Sequence, residues 1–250
     1  MKNLVGKWVF VASLMMPLNA FAAESFTDAQ KTEIGTIVRD YLLKHPEIFQ
    51  DMSDALQVAQ QQKQGEAAKQ SIAENAKVIF HSPKDLVLGN PNGKITLVEF
   101  FDYNCGFCKR ALPDVQALIE SDKDVKVVMK EFPILGESSM LASKFAIASK
   151  QQGKYQQLHE ALISAPGHLD DAKILEIANG LGLDTEMLKK EGNSENTKSI
   201  IFQNNELARK LGINGTPAFI LGDTLIAGAV GLDALKSQVA QLRKDGCAVC

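Results

Sequence analysis

The chain has 250 residues, 45% hydrophobic and 23% charged, with a formal net charge of −3. These are ordinary values for a globular chain of one large domain or two small ones. With that charge and no basic cluster interleaved with aromatics, nucleic acid and anionic membrane surfaces are excluded as partners.

At the N-terminus, Lys2 and Lys7 accompany an apolar run from Trp8 to Leu18, and Ala20-Phe21-Ala22 places small residues before Ala23. This is the pattern of a secretory signal over residues 1–22, cleaved near Ala22. A membrane-spanning helix needs about 20 apolar residues, more than this run offers. Cleavage removes Lys2, Lys7 and the only tryptophan, Trp8, and takes the net charge from −3 to −5. Export also implies a compartment in which disulfides persist.

Residues 23–80 are predicted to be helical. Thr27 with Gln30 fits a capping box, and Ile34, Ile37, Val38, Tyr41 and Leu42 recur on one helical face. His45-Pro46 ends that helix, because the residue before proline is pushed out of the helical region. Pro46 then suits the first turn of a second helix, with Ile48, Met52, Ala55, Leu56 and Ala59 as its apolar face. Beyond it the chain turns Gln-rich, as a polar stalk. Such amphipathic helices cannot bury their apolar faces alone; they must pack on the chain's own main domain or on further copies of the chain, and association as dimer or trimer is the expectation.

From residue 84 the period changes. Asn90-Pro91-Asn92-Gly93 is a turn cluster, and Ile95 to Phe101 and Val125 to Phe132 read as strands flanking a helix with Cys108, Leu112, Val115 and Ile119 on one face. Strand, helix, strand implies a right-handed parallel crossover. Residues 137–211 read as about four helices, Ala218 to Leu221 and Thr224 to Ala227 as a hairpin around Gly222-Asp223, and Gly231 to Lys244 as a closing helix.

The four cysteines stand as Cys105-Gly106-Phe107-Cys108 and Cys247-Ala248-Val249-Cys250. A chain this long needs no disulfide staples for its core. The first pair sits where a strand meets a helix, and the free amides and dipole of a helix N-terminus stabilise a thiolate. Only the thiolate attacks a disulfide. Cys105, one step earlier and more exposed, is the expected nucleophile; Cys108, one turn in, closes the disulfide and releases the substrate. A zinc site built from all four cysteines is disfavoured because the two pairs of such a site usually stand some 15–20 residues apart, far less than the distance from Cys108 to Cys247. No metal or cofactor is expected. Asp102 and Lys109 flank the pair without an assignable partner.

The segment Leu97-Val98-Glu99-Phe100-Phe101-Asp102-Tyr103-Asn104-Cys105-Gly106-Phe107-Cys108-Lys109 resembles the active-site strand and helix of the DsbA family. Gly215-Thr216-Pro217-Ala218-Phe219 resembles the family's cis-proline loop, and the helical block between them its insertion. The resemblance covers residues 84 to 244, and Tyr41-Leu42-Leu43-Lys44-His45-Pro46-Glu47 looks like the branch that oligomerises through an N-terminal extension. It implies an α/β thioredoxin fold with a helical insertion (about 137–211), preceded by an N-terminal helical oligomerisation segment. A DsbA-like domain would then occupy 81–246 and a C-x-x-C tail 247–250.

The resemblance implies that Cys105 and Cys108 take the nucleophilic and resolving positions, that Pro217 is cis, and that the backbone of Thr216 pairs with an extended substrate. Gly106 and Phe107 would border that substrate, and Glu99 falls where the family places a buried acid able to relay protons to Cys108. The most oxidising members carry proline and histidine between the cysteines, so Gly106 and Phe107 imply a less oxidising pair. Pro113 is expected to kink the active-site helix.

The implied function is periplasmic disulfide exchange, as isomerisation, oxidation or both, in unfolded or misoxidised exported proteins, served by a DsbB-like or DsbD-like membrane redox partner. A redox-independent chaperone or surface protein on the same fold, and a copper-handling thiol protein using the Cys247/Cys250 tail, are the alternatives. That tail has no counterpart in the family pattern; a minor local disulfide is expected there. His81, His159 and His168 show no ligand spacing.

Overall fold

The computed structural model describes residues 26–247. The signal segment and Cys250 lie outside the described residues. By their internal contacts residues divide at Gln57 and Val58 into two units.

The first unit contains α1 (Asp28–Lys44) and the start of α2 (Glu47–Phe80). Thr27 caps α1 through a full capping box with Gln30. Its helices part at His45-Pro46, and α2 then runs without interruption through the stretch that reads as a stalk. Every residue of α1 lacks burial, and Ile37, Tyr41, Leu43, Phe49 and Met52 are exposed apolar side chains.

The second unit is built on a five-stranded sheet, order β1-β3-β2-β4-β5, from β1 (Leu86–Gly89), β2 (Ile95–Phe101), β3 (Val125–Glu131), β4 (Ala218–Leu221) and β5 (Thr224–Ala227). β2 and β3 are parallel, joined through α3 (Gly106–Ser121); the other pairings are antiparallel. The short strand β1 is an element the sequence reading missed. All seven residues of β2 are buried, as expected for a central strand covered on both faces.

Alternation along β2 divides the core. Leu97 and Phe101 face α3 together with Val115 and Leu118, while Val98 and Phe100 face Ile72, Ile79 and Phe80 from the C-terminal part of α2, with Leu207 and Leu211. Period-two alternation therefore places Glu99 on the α3 face, behind the cysteines. The end of α2 is fixed to β3 by Lys130, fully buried, which donates to the carbonyl of Val78 at 2.6 Å and pairs with buried Asp85.

The insertion contains five α-helices and a 3-10 turn rather than about four helices: α4 (Glu137–Ser149), α5 (Tyr155–Ser164), α6 (Asp171–Gly180), α7 (Thr185–Gly192) and α8 (Glu195–Lys210). The extra break falls at Asn193-Ser194, where Ser194 caps α8 through Thr197. The closing helix α9 (Leu232–Asp245) packs Leu235 and Val239 into the core. Pro113 lies inside α3, which continues past it to Ser121.

Candidate active site

Because β2 and β4 are antiparallel, the end of β2 lies beside the start of β4, with Phe100 opposite Ala218. The chain leaves β2 into the cysteine loop and enters β4 from Thr216-Pro217, so this register alone brings two segments distant in sequence together. The Thr216–Pro217 peptide bond is cis. The Cys105 Sγ lies 3.1 Å from the Thr216 carbonyl oxygen, to which its thiol form donates.

Cys105 is the N-cap of α3, and its sulfur accepts from the Cys108 N–H at 3.4 Å. No acidic side chain stands in the first turn of α3 to compete for its positive end. The Cys105 thiol is lowered to about 5, first by hydrogen bonding from the Cys108 side chain, then by the Thr216 side chain and the backbone N–H groups of Cys108 and Phe107, against the effect of burial. Cys108 moves the other way: burial raises its thiol, and its hydrogen bond to Cys105 and the charge of Glu99 add to that. Both cysteines are buried and free, Cys105 at 6% exposure and Cys108 at 1%. Cys105 is thus only marginally the more open of the two. Two like thiols three residues apart are set in opposite protonation states at neutral pH.

Glu99 is buried, and burial, with the Cys105 charge secondary, raises its carboxyl to about 8. Gly106 and Phe107 are exposed between the cysteines. The Phe107 ring carries the Arg110 guanidinium at 4.1 Å and borders a groove of about 440 Å³ lined also by Ile213, Thr216, Pro217, Leu225 and Ala227.

Several groups that hold this turn in place were not legible in the sequence. Asp102, buried, accepts from the backbone of Asn104 (2.7 Å), Ile134 (2.8 Å) and Leu135 (3.0 Å) and from the Ser139 hydroxyl (2.8 Å). Tyr103 donates to Glu131 at 2.9 Å and meets His159 Nδ1 at 3.1 Å, while Tyr155 donates to the same Glu131 oxygen at 2.8 Å. Burial raises Glu131 to about 8 and lowers His159 to about 4, so this cluster behind the cysteine loop is neutral at pH 7. Its only sequence signal is the polar Asp102-Tyr103-Asn104 run that follows an apolar strand.

Among the described residues no group of three or more His, Cys, Asp or Glu side chains is placed to hold a metal ion. Cys247 is exposed and disulfide-bonded.

A central parallel pair flanked by antiparallel strands, a cysteine pair capping the helix between them and a cis-proline facing it define a thioredoxin fold. Residues 96–240 match the DSBA-like thioredoxin domain. The chain belongs to that family.

Residues 30–63 match the N-terminal domain of the copper resistance protein ScsC. A thioredoxin-like oxidoreductase from Silicibacter pomeroyi DSS-3 is 44% identical, with a TM-score of 0.66 over 67% of this chain and 97% of that one. Proteus mirabilis ScsC in a transitional conformation is 32% identical, with a TM-score of 0.65 over 88% and 100%. Disulfide bond formation protein D of Bacillus subtilis (strain 168) is 27% identical over 61% of this chain and 74% of that protein. The chain spans about a quarter (26%) of the Na(+)/H(+) antiporter NhaA 3 of Salinispora tropica, to which 171 residues are 26% identical.

Proposed function

We propose that this DsbA-like protein catalyses thiol–disulfide exchange in exported proteins, with Cys105 as nucleophile. The observation that carries the reading is the opposed state of the two cysteines: the Cys105 thiol is lowered to about 5 beside the Thr216 carbonyl, while burial raises that of Cys108. The Cys105 thiolate attacks a client disulfide, forms a mixed disulfide and expels one client thiolate. Cys108 then loses its proton to the Glu99 carboxylate, whose ionisation is eased because Cys105 carries no charge in the mixed disulfide, and attacks Cys105 Sγ; the Cys105–client bond breaks and the client leaves reduced. Attack on the mixed disulfide by another client thiol instead returns Cys105 as thiolate and leaves the client rearranged.

Thr216, with Gly106 and Phe107, forms the client site, an extended client segment pairing with the Thr216 backbone and lying along the groove below Phe107. The exposed apolar side chains of α1 and early α2 support association of copies, so that several Cys105 sites act on one client. That arrangement favours isomerisation. The secretory pattern of residues 1–22 supports a periplasmic location, with a DsbB-like or DsbD-like membrane protein setting the redox state.

The test is the state of Cys105 and Cys108 in cells, by acid quenching and thiol alkylation in a Cys247→Ser/Cys250→Ser background. A mainly reduced pair supports the isomerase direction; a mainly oxidised pair assigns oxidation instead. The match of residues 30–63 to a copper resistance protein domain favours a second reading, copper handling through the thiols. That reading takes the Cys247/Cys250 tail as ligand, and Cu(I) titration of Cys247→Ser/Cys250→Ser against the parent chain separates it from exchange.

A further inference from the structure

A helix C-terminus carries partial negative charge, which a nearby cation offsets. α5 has no basic residue in its last turn. Lys109, the residue after Cys108, supplies one from α3: its Nζ donates to the carbonyls of Ala165, the C-cap of α5, and Gly167, each at 2.6 Å. Asn104, on the other side of the cysteine pair, holds the same loop. Its Oδ1 accepts from the Leu169 N–H at 2.6 Å and its Nδ2 donates to the Leu169 carbonyl at 3.2 Å. The residues bracketing Cys105-x-x-Cys108 therefore clasp one loop of the insertion, 165–169. Both acceptors of Lys109 are neutral carbonyls, so its charge is not consumed by them. Other charged or titratable groups near the pair and this loop include Glu99 on β2, Asp102 and Tyr103 before α3, Arg110 over Phe107, and His168 in the loop itself, whose Nε2 lies 3.3 Å from the Ser138 hydroxyl that also accepts from Asn104.

We propose that Lys109 is a positioning residue for Cys105: by capping α5 it fixes the insertion against the catalytic helix and keeps the negative end of α5 from opposing the Cys105 thiolate. This rests on the exchange reaction proposed above. Through this contact the insertion sets the reactivity of the pair.

The test is the pH profile of Cys105 alkylation by iodoacetamide, read by mass in a Cys247→Ser/Cys250→Ser background, for the parent chain, Lys109→Met and Lys109→Arg. Lys109→Met is expected to move the midpoint up by about half a pH unit, roughly threefold less thiolate below the midpoint, and Lys109→Arg to return it. A Lys109→Met profile that superposes on the parent, or a Lys109→Arg profile shifted as far as Lys109→Met, overturns the assignment. Should Lys109→Met not fold, Lys109→Gln, which keeps a polar donor but carries no charge, replaces it with the same two readings. Disulfide exchange by the parent protein is measured alongside. An inactive parent sinks the exchange reaction, whereas an active parent with an unshifted variant sinks only the role of Lys109.

Discussion

Cys105 Sγ lies 3.1 Å from the carbonyl oxygen of Thr216, a contact across 111 residues of chain. Nothing local produces it. The antiparallel register of β2 with β4 puts Phe100 opposite Ala218, and the two loops that extend these strands meet at the same end of the sheet. In the proposed exchange reaction, a client segment paired with the Thr216 backbone arrives beside the attacking sulfur.

Glu99 couples stability to pH. Its folded-state carboxyl is raised to about 8 by burial, against 4.5 ordinarily. The folded protein holds a proton there that the unfolded chain releases, so stability is full below about pH 4.5 and is lost as pH rises to about 8. Glu99→Gln is expected to unfold at a higher denaturant concentration than the parent at pH 8, by roughly 1 kcal/mol or more, and to differ little at pH 4.5. Guanidinium titrations at the two pH values check this. The same variant is expected to release clients more slowly, because the acceptor for the Cys108 proton is gone.

Tyr103 links the cysteine loop to the buried Glu131. Tyr103→Phe leaves Glu131 with one phenol donor and His159 Nδ1 without its partner. The expected cost is about 1–3 kcal/mol of stability, read as a fall in thermal midpoint. Cys105 alkylation kinetics report whether the loop shifts with it.

The strands and the cysteine pair were legible because their signals are local. Ile95–Phe101 is an apolar run, Thr224–Ala227 follows a Gly-Asp turn, and Cys105 stands at a strand-to-helix junction. What was not legible depends on residues far apart in the chain. Leu86–Gly89 is only four residues long and is defined as a strand by pairing with β3. Lys109 flanks the pair without an assignable partner, and Asn104 gives no signal of one, until the 165–169 loop arrives to accept and donate their hydrogen bonds. Likewise His159 shows no spacing to any other histidine, and its burial against Tyr103 is set by where α5 lands.

The apolar face of α1 yields a further prediction. Ile37 is 61% exposed and Tyr41 is 56% exposed, a large apolar surface for a chain acting alone. Ile37→Glu is expected to lower the molar mass seen by light scattering to that of one chain and to leave Cys105 alkylation unchanged. A parent chain already at one-chain mass at micromolar concentration sinks the association proposal.

In the proposed reaction Cys105 attacks and Cys108 resolves. Cys108→Ser, in the Cys247→Ser/Cys250→Ser background, removes the resolving thiol and leaves the attacking one. Incubated with a protein carrying scrambled disulfides, it is expected to accumulate a dithiothreitol-sensitive adduct that peptide mapping places on Cys105. Cys105→Ser is expected to accumulate none, since burial holds the Cys108 thiol protonated. An adduct on Cys108 in Cys105→Ser, or none in Cys108→Ser, would contradict the account.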